Sequence, residues 1–335
     1  MAQKPILLIG GSGIVGSWAA RFLRAAHPEL PLLIGGRDGA RATESASKIG
    51  NAEGVILDMT ADDLGLGART VSAVAILFMD ERIAGLRFAQ ARRIPHVSIS
   101  PGIIELAPEV AACIHSPAAA PVVLGTEWLV GATTVPTLEF AKDFSRLHDI
   151  RIGALLDEKD AFGPAANVDL ERQTKTMPAA LARRDGAYVW RVGDDAKAMF
   201  RAIDGTEMEA SALSPNDVVG LATATGAPNV SFNLALGVSS SRRRGEPMST
   251  EIIVELSGDD RNGQPLRTRH AIMHPEGQMP LTGLGVAMLL ERLAGIDGQP
   301  ATPAGLYFPY QLLDPTAYLA RLKQIGGQIV KLDTL

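Results

Sequence analysis

The chain predicts an α/β protein: a doubly wound parallel sheet with an inserted α+β second domain built on a mostly antiparallel sheet. Three observations carry that expectation. Short apolar runs alternate with helical stretches up to Gly125. Beyond it, strand-like runs follow one another without helices between them. At 335 residues the chain is long enough for two domains.

Pro5-Ile6-Leu7-Leu8-Ile9 is an apolar run, the pattern of a strand buried on both faces. Gly10-Gly11-Ser12-Gly13-Ile14-Val15-Gly16 follows and holds G-x-G-x-x-G at Gly11, Gly13 and Gly16. Ser17 to Ala26 reads as a helix and Leu32 to Ile34 as the next strand. In that strand–turn–helix–strand setting the glycines predict a Rossmann dinucleotide-binding turn. Gly11 is expected to allow the tight turn, Gly13 to let the backbone approach a pyrophosphate, and Gly16 to bring helix onto strand. Ser12, Ile14 and Val15 complete the loop, and the helix N-terminus supplies an anion site.

The second strand ends Gly35-Gly36-Arg37-Asp38. An NAD site usually carries an acid there, accepting from the ribose 2′-OH. Here the acidic position is glycine and a guanidinium follows, which matches a phosphate. Arg41, four residues on, is placed to close over the same phosphate. The expected cofactor is therefore NADP(H) in preference to NAD(H). Two other readings stay open: Arg37 and Arg41 as solvated loop charges, and Asp38 turned inward onto a 2′-OH.

Ala40 to Ile49 reads as a helix and Gly54 to Asp58 as a third strand, with Asp58 placed to contact adenine or to make a turn. Val71 to Phe78 is a fourth strand leading into Met79-Asp80, and Arg82 to Ala91 a helix. His96 to Ser100 is a fifth strand, entering Pro101-Gly102, and Pro121 to Gly125 a sixth. Ligands bind beyond the carboxyl ends of such strands. Gly10 to Val15, Arg37, Asp58, Phe78, Met79, Asp80 and Ser100 then share one rim.

In the second region Leu129 to Phe144 reads as a helix, and 150–156, 187–192 and 196–204 as strands. Ser214 to Gly226 is expected to be a helix capped by Ser214 and Pro215. Glu251 to Leu256 and Leu266 to Met273 flank a Gly/Asp/Asn-rich turn, a hairpin pattern. The first of these strands is a candidate sheet edge or interface. Thr282 to Ala294 and Pro315 to Ile325 read as helices, and Gln328 to Leu332 as a last strand. Arg242-Arg243-Arg244 follows Ser239-Ser240-Ser241 and reads as an exposed loop.

A net charge of −5 without a basic block argues against nucleic acid as a partner. No apolar run is long enough to span a membrane. The first residues already form the nucleotide-binding strand, so no cleaved leader is expected and the protein is placed in the cytoplasm. The single cysteine, Cys113, cannot make an intrachain disulfide and is expected to pack within a helix. No Cys/His spacing suggests a metal site.

The chain resembles the saccharopine dehydrogenase-like family. Ile9-Gly10-Gly11-Ser12-Gly13-Ile14-Val15-Gly16 is similar to its nucleotide turn, and Gly36-Arg37-Asp38 to the end of its second strand. Leu57-Asp58-Met59-Thr60 resembles its third strand, and Val97-Ser98-Ile99-Ser100 its fifth, with Ser98 where aspartate is common. The match is specific over residues 6–126 and looser beyond, where the hairpin, the helix to 294 and Tyr307-Phe308-Pro309 resemble the family's C-terminal portion. The resemblance implies a Rossmann domain of 1–126 plus about 305–335, and a substrate and dimerisation domain of 127–304. It also implies a homodimer. Two departures bear on the substrate pocket: Met79-Asp80 stands in place of Gly-Pro, and Gly125-Thr126-Glu127-Trp128 in place of Pro-Gly.

The expected reaction is hydride transfer involving a small molecule, on a CH-NH bond rather than a CH-CH bond. The cofactor does the redox chemistry; the protein orients it and supplies a proton donor. Glu127 and Asp80 are the acid/base candidates, although Asp80 is equally placed to cap the next helix. Arg172, Arg269 and His270 are candidate substrate clamps. Arg269 and His270 are neighbours on a strand, so only one faces the site. His96 and His274 read as structural. One alternative is an enoyl reductase with an apolar pocket from Met177, Met199, Phe200, Phe232 and Met273. Another is a non-catalytic NADP(H)-binding protein.

Overall fold

Four consecutive aliphatic residues with no solvent on either face make Ile6–Ile9 an interior strand, β1. Helix α1 (Ile14–Ala26), β2 (Leu32–Gly36), α2 (Gly39–Ile49), β3 (Ala52–Ile56), β4 (Ala73–Ile76), α3 (Ala84–Arg92), β5 (His96–Ser98), α4 (Ala107–His115) and β6 (Pro121–Leu124) follow. The structure is a computed structural model and describes residues 3–160, 163–176 and 179–334.

The chain continues through α5 (Thr134–Phe140), β7 (Phe144–Asp157), α6 (Pro164–Thr176), β8 (Ala180–Arg184) and β9 (Ala187–Arg191). Next come β10 (Lys197–Arg201), β11 (Glu207–Ala212), α7 (Asp217–Thr225), β12 (Asn229–Gly237), α8 (Ser240–Arg243), β13 (Thr250–Asp260) and β14 (Pro265–His274). Helix α9 (Gln278–Leu293), β15 (Gly305–Tyr307), α10 (Pro315–Gln324) and β16 (Gln328–Leu332) complete it.

The chain forms two units. The first comprises Met1–Thr126, Phe162–Leu170 and Thr282–Leu313. Its sheet runs β15-β6-β5-β4-β1-β2-β3, and every pair is parallel. Strand order reverses between β1 and β4, which opens the crevice where such sheets bind ligands. Leu7, Ile9, Leu33, Val74, Ile76 and Phe88 pack one face of this sheet.

The second unit comprises Glu127–Ala161, Glu171–Leu281 and Asp314–Leu335. Its sheet runs β10-β11-β12-β7-β13-β14-β16, with β8 paired to β12 and β9 to β8. Among the described residues only β12 and β7 pair in parallel in this sheet; the other pairs are antiparallel. The predicted fold class is thus the observed one: a doubly wound parallel sheet plus a mostly antiparallel second sheet.

Several local expectations change. The helix expected from Leu129 starts at Thr134, because Leu129, Val130 and Gly131 have φ of 51°, 57° and 92°. Three left-handed residues in a row make a turn, not a helix. Phe144, expected in that helix, opens β7. Ser214 does not cap α7; its hydroxyl accepts from the Leu181 N–H, and the helix begins at Asp217.

Strand β13 is no edge. It lies between β7 and β14, and Ile252, Ile253 and Val254 are all buried, so both its ladders and both its faces are used. The serine–arginine run is no exposed loop either. Ser239, Ser240 and Ser241 are buried around the start of α8. The Asp157 carboxylate accepts from the Ser239 hydroxyl at 2.6 Å and from Arg242 at 2.6 Å, and Arg243 pairs with Asp204. Hydrogen bonds from Ser239 and Arg242 hold the buried Asp157 carboxyl down at about 2, against the upward pull of burial.

The C-terminal tail divides. Strand β15 joins β6 in the parallel sheet, whereas β16 pairs with β14 in the second sheet. Among the described residues no helix is long and apolar enough to cross a membrane. No group of three or more His, Cys, Asp or Glu among them is arranged to hold a metal ion. Cys113 is buried in α4.

Candidate cofactor and active site

The glycine turn is built by three different constraints. Gly10, not Gly11, takes the left-handed turn, with φ of 86°. Its N–H donates to the Gly35 carbonyl at 2.8 Å, tying the turn to β2. Gly11 faces the sheet: a Cβ there would meet Leu8 at 2.9 Å and Ile34 at 3.2 Å. Gly16 faces Gly11, so α1 starts against its own loop. Gly13 is the N-cap of α1 with an ordinary φ of −77°. The first N–H groups of a helix have no partner within it, so Ile14, Val15 and Gly16 present theirs at this end beside Ser12. No acidic side chain occupies the first turn of α1.

Across the turn lies the end of β2. A Cβ on Gly36 would meet nothing within 4 Å. Arg37 and Asp38 are exposed. The Asp38 carboxylate accepts from the Arg41 N–H at 3.1 Å and caps α2. Arg41 reaches back over the turn and donates to the Ser12 carbonyl at 3.3 Å. Two guanidinium-bearing residues therefore flank open space beside the glycine loop, with the nearby acid committed to a cap.

The rest of the rim is in the same unit. Asp58 makes a turn: its carboxylate accepts from the Thr60 N–H at 2.8 Å and hydroxyl at 2.6 Å, which holds it below the usual carboxylate range. A cavity of about 210 Å³ lies between this loop and the start of α3, lined by Met59, Thr60, Arg82 and Arg87 among others. Arg82 and Arg87 were not singled out by sequence reasoning. Phe78 packs beneath Gly10, Met79 is partly buried, and Ser100 is buried. Asp80 accepts from the Arg82 N–H at 3.2 Å and the Gly85 N–H at 2.9 Å, so its carboxylate organises the entry to α3. Ser98 donates to the buried Glu109 at 2.7 Å. Burial pushes the Glu109 carboxyl up to about 7, opposed by the Ser98 bond and aided by the Asp80 charge. Gly163, just before α6, packs on Ile14 at the head of α1.

The second unit holds the other candidates. Glu127 directly follows Thr126 at the end of the sixth parallel strand. It is buried, and its carboxylate accepts from the Thr134 hydroxyl at 2.5 Å. The next residue, Trp128, donates its backbone N–H to Asp217 at 2.6 Å, and its ring lies tilted against Phe232 with centroids 5.4 Å apart. Burial pushes the Asp217 carboxyl up. Tyr318 of α10 is fully buried; burial, with the Glu127 charge adding, pushes its phenol up. Asp217, Thr134 and Tyr318 carried no motif that marked them.

The clamp candidates are differently placed. Arg172 lies on α6, partly buried. Arg269 is buried and engaged, donating to Glu255 at 3.1 Å and to the Arg201 and Ala202 carbonyls. His270 is stacked on Phe140 with ring centroids 4.1 Å apart, and burial lowers its pKa. His96 is buried and neutral, pushed down to about 3 by burial, and His274 ends β14 with its ring bonded to the Ile325 carbonyl and the Glu276 N–H.

By sequence the chain matches no family model and no curated protein. By structure it is similar to the L-Glu-forming saccharopine dehydrogenase of Saccharomyces cerevisiae, with a TM-score of 0.63 at 13% identity over 98% of this chain and 100% of that one. A myo-inositol dehydrogenase from Corynebacterium glutamicum aligns at a TM-score of 0.47 and 15% identity over 99% of this chain and 100% of that one. The likeness to the yeast enzyme shows that the chain shares its fold, a doubly wound parallel sheet with a second, mixed sheet.

Proposed function

We infer that the protein is an NADP(H)-dependent oxidoreductase that reduces an imine, or oxidises the corresponding secondary amine, of an amino-acid-derived substrate. The observation that carries this reading is the glycine turn with Arg41 bonded to Ser12 and open space at Gly36. The residues present fit the cofactor. The N–H groups of Ser12, Ile14, Val15 and Gly16 would hold its pyrophosphate, those of Gly11 and Gly13 being donated to the Leu8 and Gly10 carbonyls, and Arg37 with Arg41 would hold its 2′-phosphate. Met59, Arg82 and Ser100 would line its path along the rim. When bound, the nicotinamide supplies or accepts the hydride.

An iminium is already electrophilic, so the protein has little to add beyond orientation and one proton. Glu127 is the proposed proton donor, because it follows a parallel strand end and is buried and oriented by Thr134. Asp80 is the weaker candidate, since both its oxygens cap α3. Arg172 is the proposed substrate clamp; the internal bonds of Arg269 and the stacking of His270 speak for structural roles.

The enoyl-reductase reading has less support. Phe200 packs over Gly153 on one face of the second sheet, while Phe232 meets Trp128 on the other, since Asn233 is the residue paired with Gly153. Met199 is exposed, and Met273 is buried on β14. Met177 lies outside the described residues. A homodimer through the second unit is also proposed; Tyr188, Trp190 and Val192, exposed at alternate positions on and just past β9, support it. NADPH consumption with an oxo acid plus an amine, against enoyl thioesters as the second arm, tests the reaction. Turnover only with enoyl thioesters would overturn it.

A further inference from the structure

Arg191 is only 8% exposed, yet its hydrogen-bond partners are all neutral. Its guanidinium donates to Asn233 Oδ1 at 2.8 Å and to the main-chain carbonyls of Asp195 and Lys197 at 2.9 and 3.4 Å. Burial pulls its pKa down, but a guanidinium does not lose its proton in a protein. Arg183 is held the same way, by the carbonyls of Gly186, Ala222 and Ala227 at 3.1–3.2 Å. Two fixed positive charges thus lack a bonded carboxylate; Arg183 is partly exposed and lies over the Tyr188 ring, while Arg191 is buried with the Asp195 charge nearby but not bonded to it, so an anion in contact would lower the cost of burying it.

Both arginines line one cleft of about 300 Å³ in the second unit. Arg151 and Arg184 line it too. The register Asp149↔Asn229 and Arg151↔Ser231 puts these residues, with Asn233, on one face of the sheet. Asp149 is the only acid in the lining, and it accepts from the Ser257 hydroxyl at 2.5 Å. The nearby acids are engaged: Asp195 accepts from Arg184 at 2.9 and 3.1 Å, and Glu255, beside Arg151 in the register, pairs with Arg269. Four guanidinium groups therefore line the cleft beside one lining carboxylate, with Arg184 already paired to Asp195.

We propose that this cleft binds a phosphate group, either free phosphate or the phosphate of a small monoester. A dianion can bond both arginines that have no carboxylate bonded to them, where a single carboxylate bonds one. Guanidinium forks match phosphate oxygens in pairs, and the Ser231 hydroxyl adds a hydrogen-bonding group at the floor. The volume leaves room for a small organic portion beyond the phosphate.

Calorimetric titration of the NADPH-saturated protein with inorganic phosphate, and separately with phenyl phosphate, tests the site. One-site saturation below about 1 mM is expected for at least one of the two. Tighter binding of phenyl phosphate assigns the site to a monoester; tighter binding of inorganic phosphate assigns it to the free ion. Arg151→Ala and Arg184→Ala, both at exposed positions, should each weaken binding about 10-fold, the loss of one charge-assisted contact. Lys48→Ala, an exposed cation paired with Glu44 outside the cleft, should leave it unchanged. No saturable heat up to about 10 mM of either probe, or binding indifferent to both cleft variants, would overturn the proposal.

Discussion

A methyl group on Gly16 would lie 2.5 Å from the Cα of Gly11. Helix α1 can start where it does only because Gly16 lacks a side chain, and the contact would fall on the Gly11 backbone, so nothing flexible can yield. Gly16→Ala should therefore destabilise the first unit by about 1–3 kcal/mol, the usual cost of overpacking a tight contact. Urea denaturation checks this. Gly13→Val should behave differently. Gly13 has an ordinary φ, and a Cβ there would meet only the Gly10 carbonyl at 3.1 Å. The fold should survive while NADPH binding is lost, because the branched side chain occupies the approach of a pyrophosphate. Undiminished affinity in folded Gly13→Val would remove the cofactor assignment.

Cofactor choice rests on a different pair of residues. Arg37 is exposed beside the open space at Gly36, and Asp38 is occupied in capping α2. One charge-assisted hydrogen bond contributes about 1.5–3 kcal/mol, so Arg37→Ala should weaken NADPH roughly 10–100-fold. NADH should bind almost as before, since it has no 2′-phosphate. Equal losses for both cofactors, measured by calorimetry, would show that Arg37 does not read the phosphate.

What was legible in the sequence was local. The strand–glycine turn–helix of the first unit needs only nearest neighbours: buried aliphatics and glycines where backbones touch. The second unit is built from distant pairings, and there the reading failed in identifiable ways. The apolar alternation of Glu251 to Leu256 looks the same at an edge as between two strands; only β7, from more than ninety residues earlier, shows it to be central. Asp217 bonds to Trp128 across 89 residues, and no local pattern announces such a contact. Ser239 to Arg244 reads as a polar loop because its partners, Asp157 and Asp204, come from other strands and turns. The tail misled for the same reason: its one short strand β15 pairs with β6, while β16 finds β14.

Glu109 gives the first unit a pH dependence of known sign. Its carboxyl is buried and stands at about 7, against an ordinary value of 4.5, with burial the main cause. The folded protein therefore binds this proton more tightly than the unfolded chain. The stability tied to it is complete below the unfolded value and is lost as the pH rises from about 4 through 7. The size is about 3 kcal/mol, since each tenfold change in proton affinity corresponds to about 1.4 kcal/mol. Glu109→Gln preserves an acceptor for Ser98 and cannot ionise. Its stability should match wild type near pH 5 and exceed it by up to about 3 kcal/mol at pH 8. Parallel pH profiles for the two proteins in urea melts would show that Glu109 does not titrate in the fold.

The assignment of the proton donor is the most exposed to test. Glu127 is buried, accepts from Thr134 at 2.5 Å, and sits at the mouth of a turn whose Leu129 and Val130 are held left-handed. Such strain persists only where surrounding contacts fix it, and here the Trp128 N–H is latched to Asp217. Glu127→Gln keeps the shape and the Thr134 bond but removes the proton. Turnover with oxo acid and amine should fall about 10²–10⁴-fold while NADPH affinity stays unchanged, the pattern of a lost general acid. Asp217→Asn retains an acceptor for Trp128 and should cost less than Asp217→Ala, which releases the turn. If Glu127→Gln turns over normally and Asp80→Asn does not, the proton comes from Asp80 despite its place at the head of α3. If both variants turn over normally, neither carboxylate is the donor, and the search moves to the buried phenol of Tyr318.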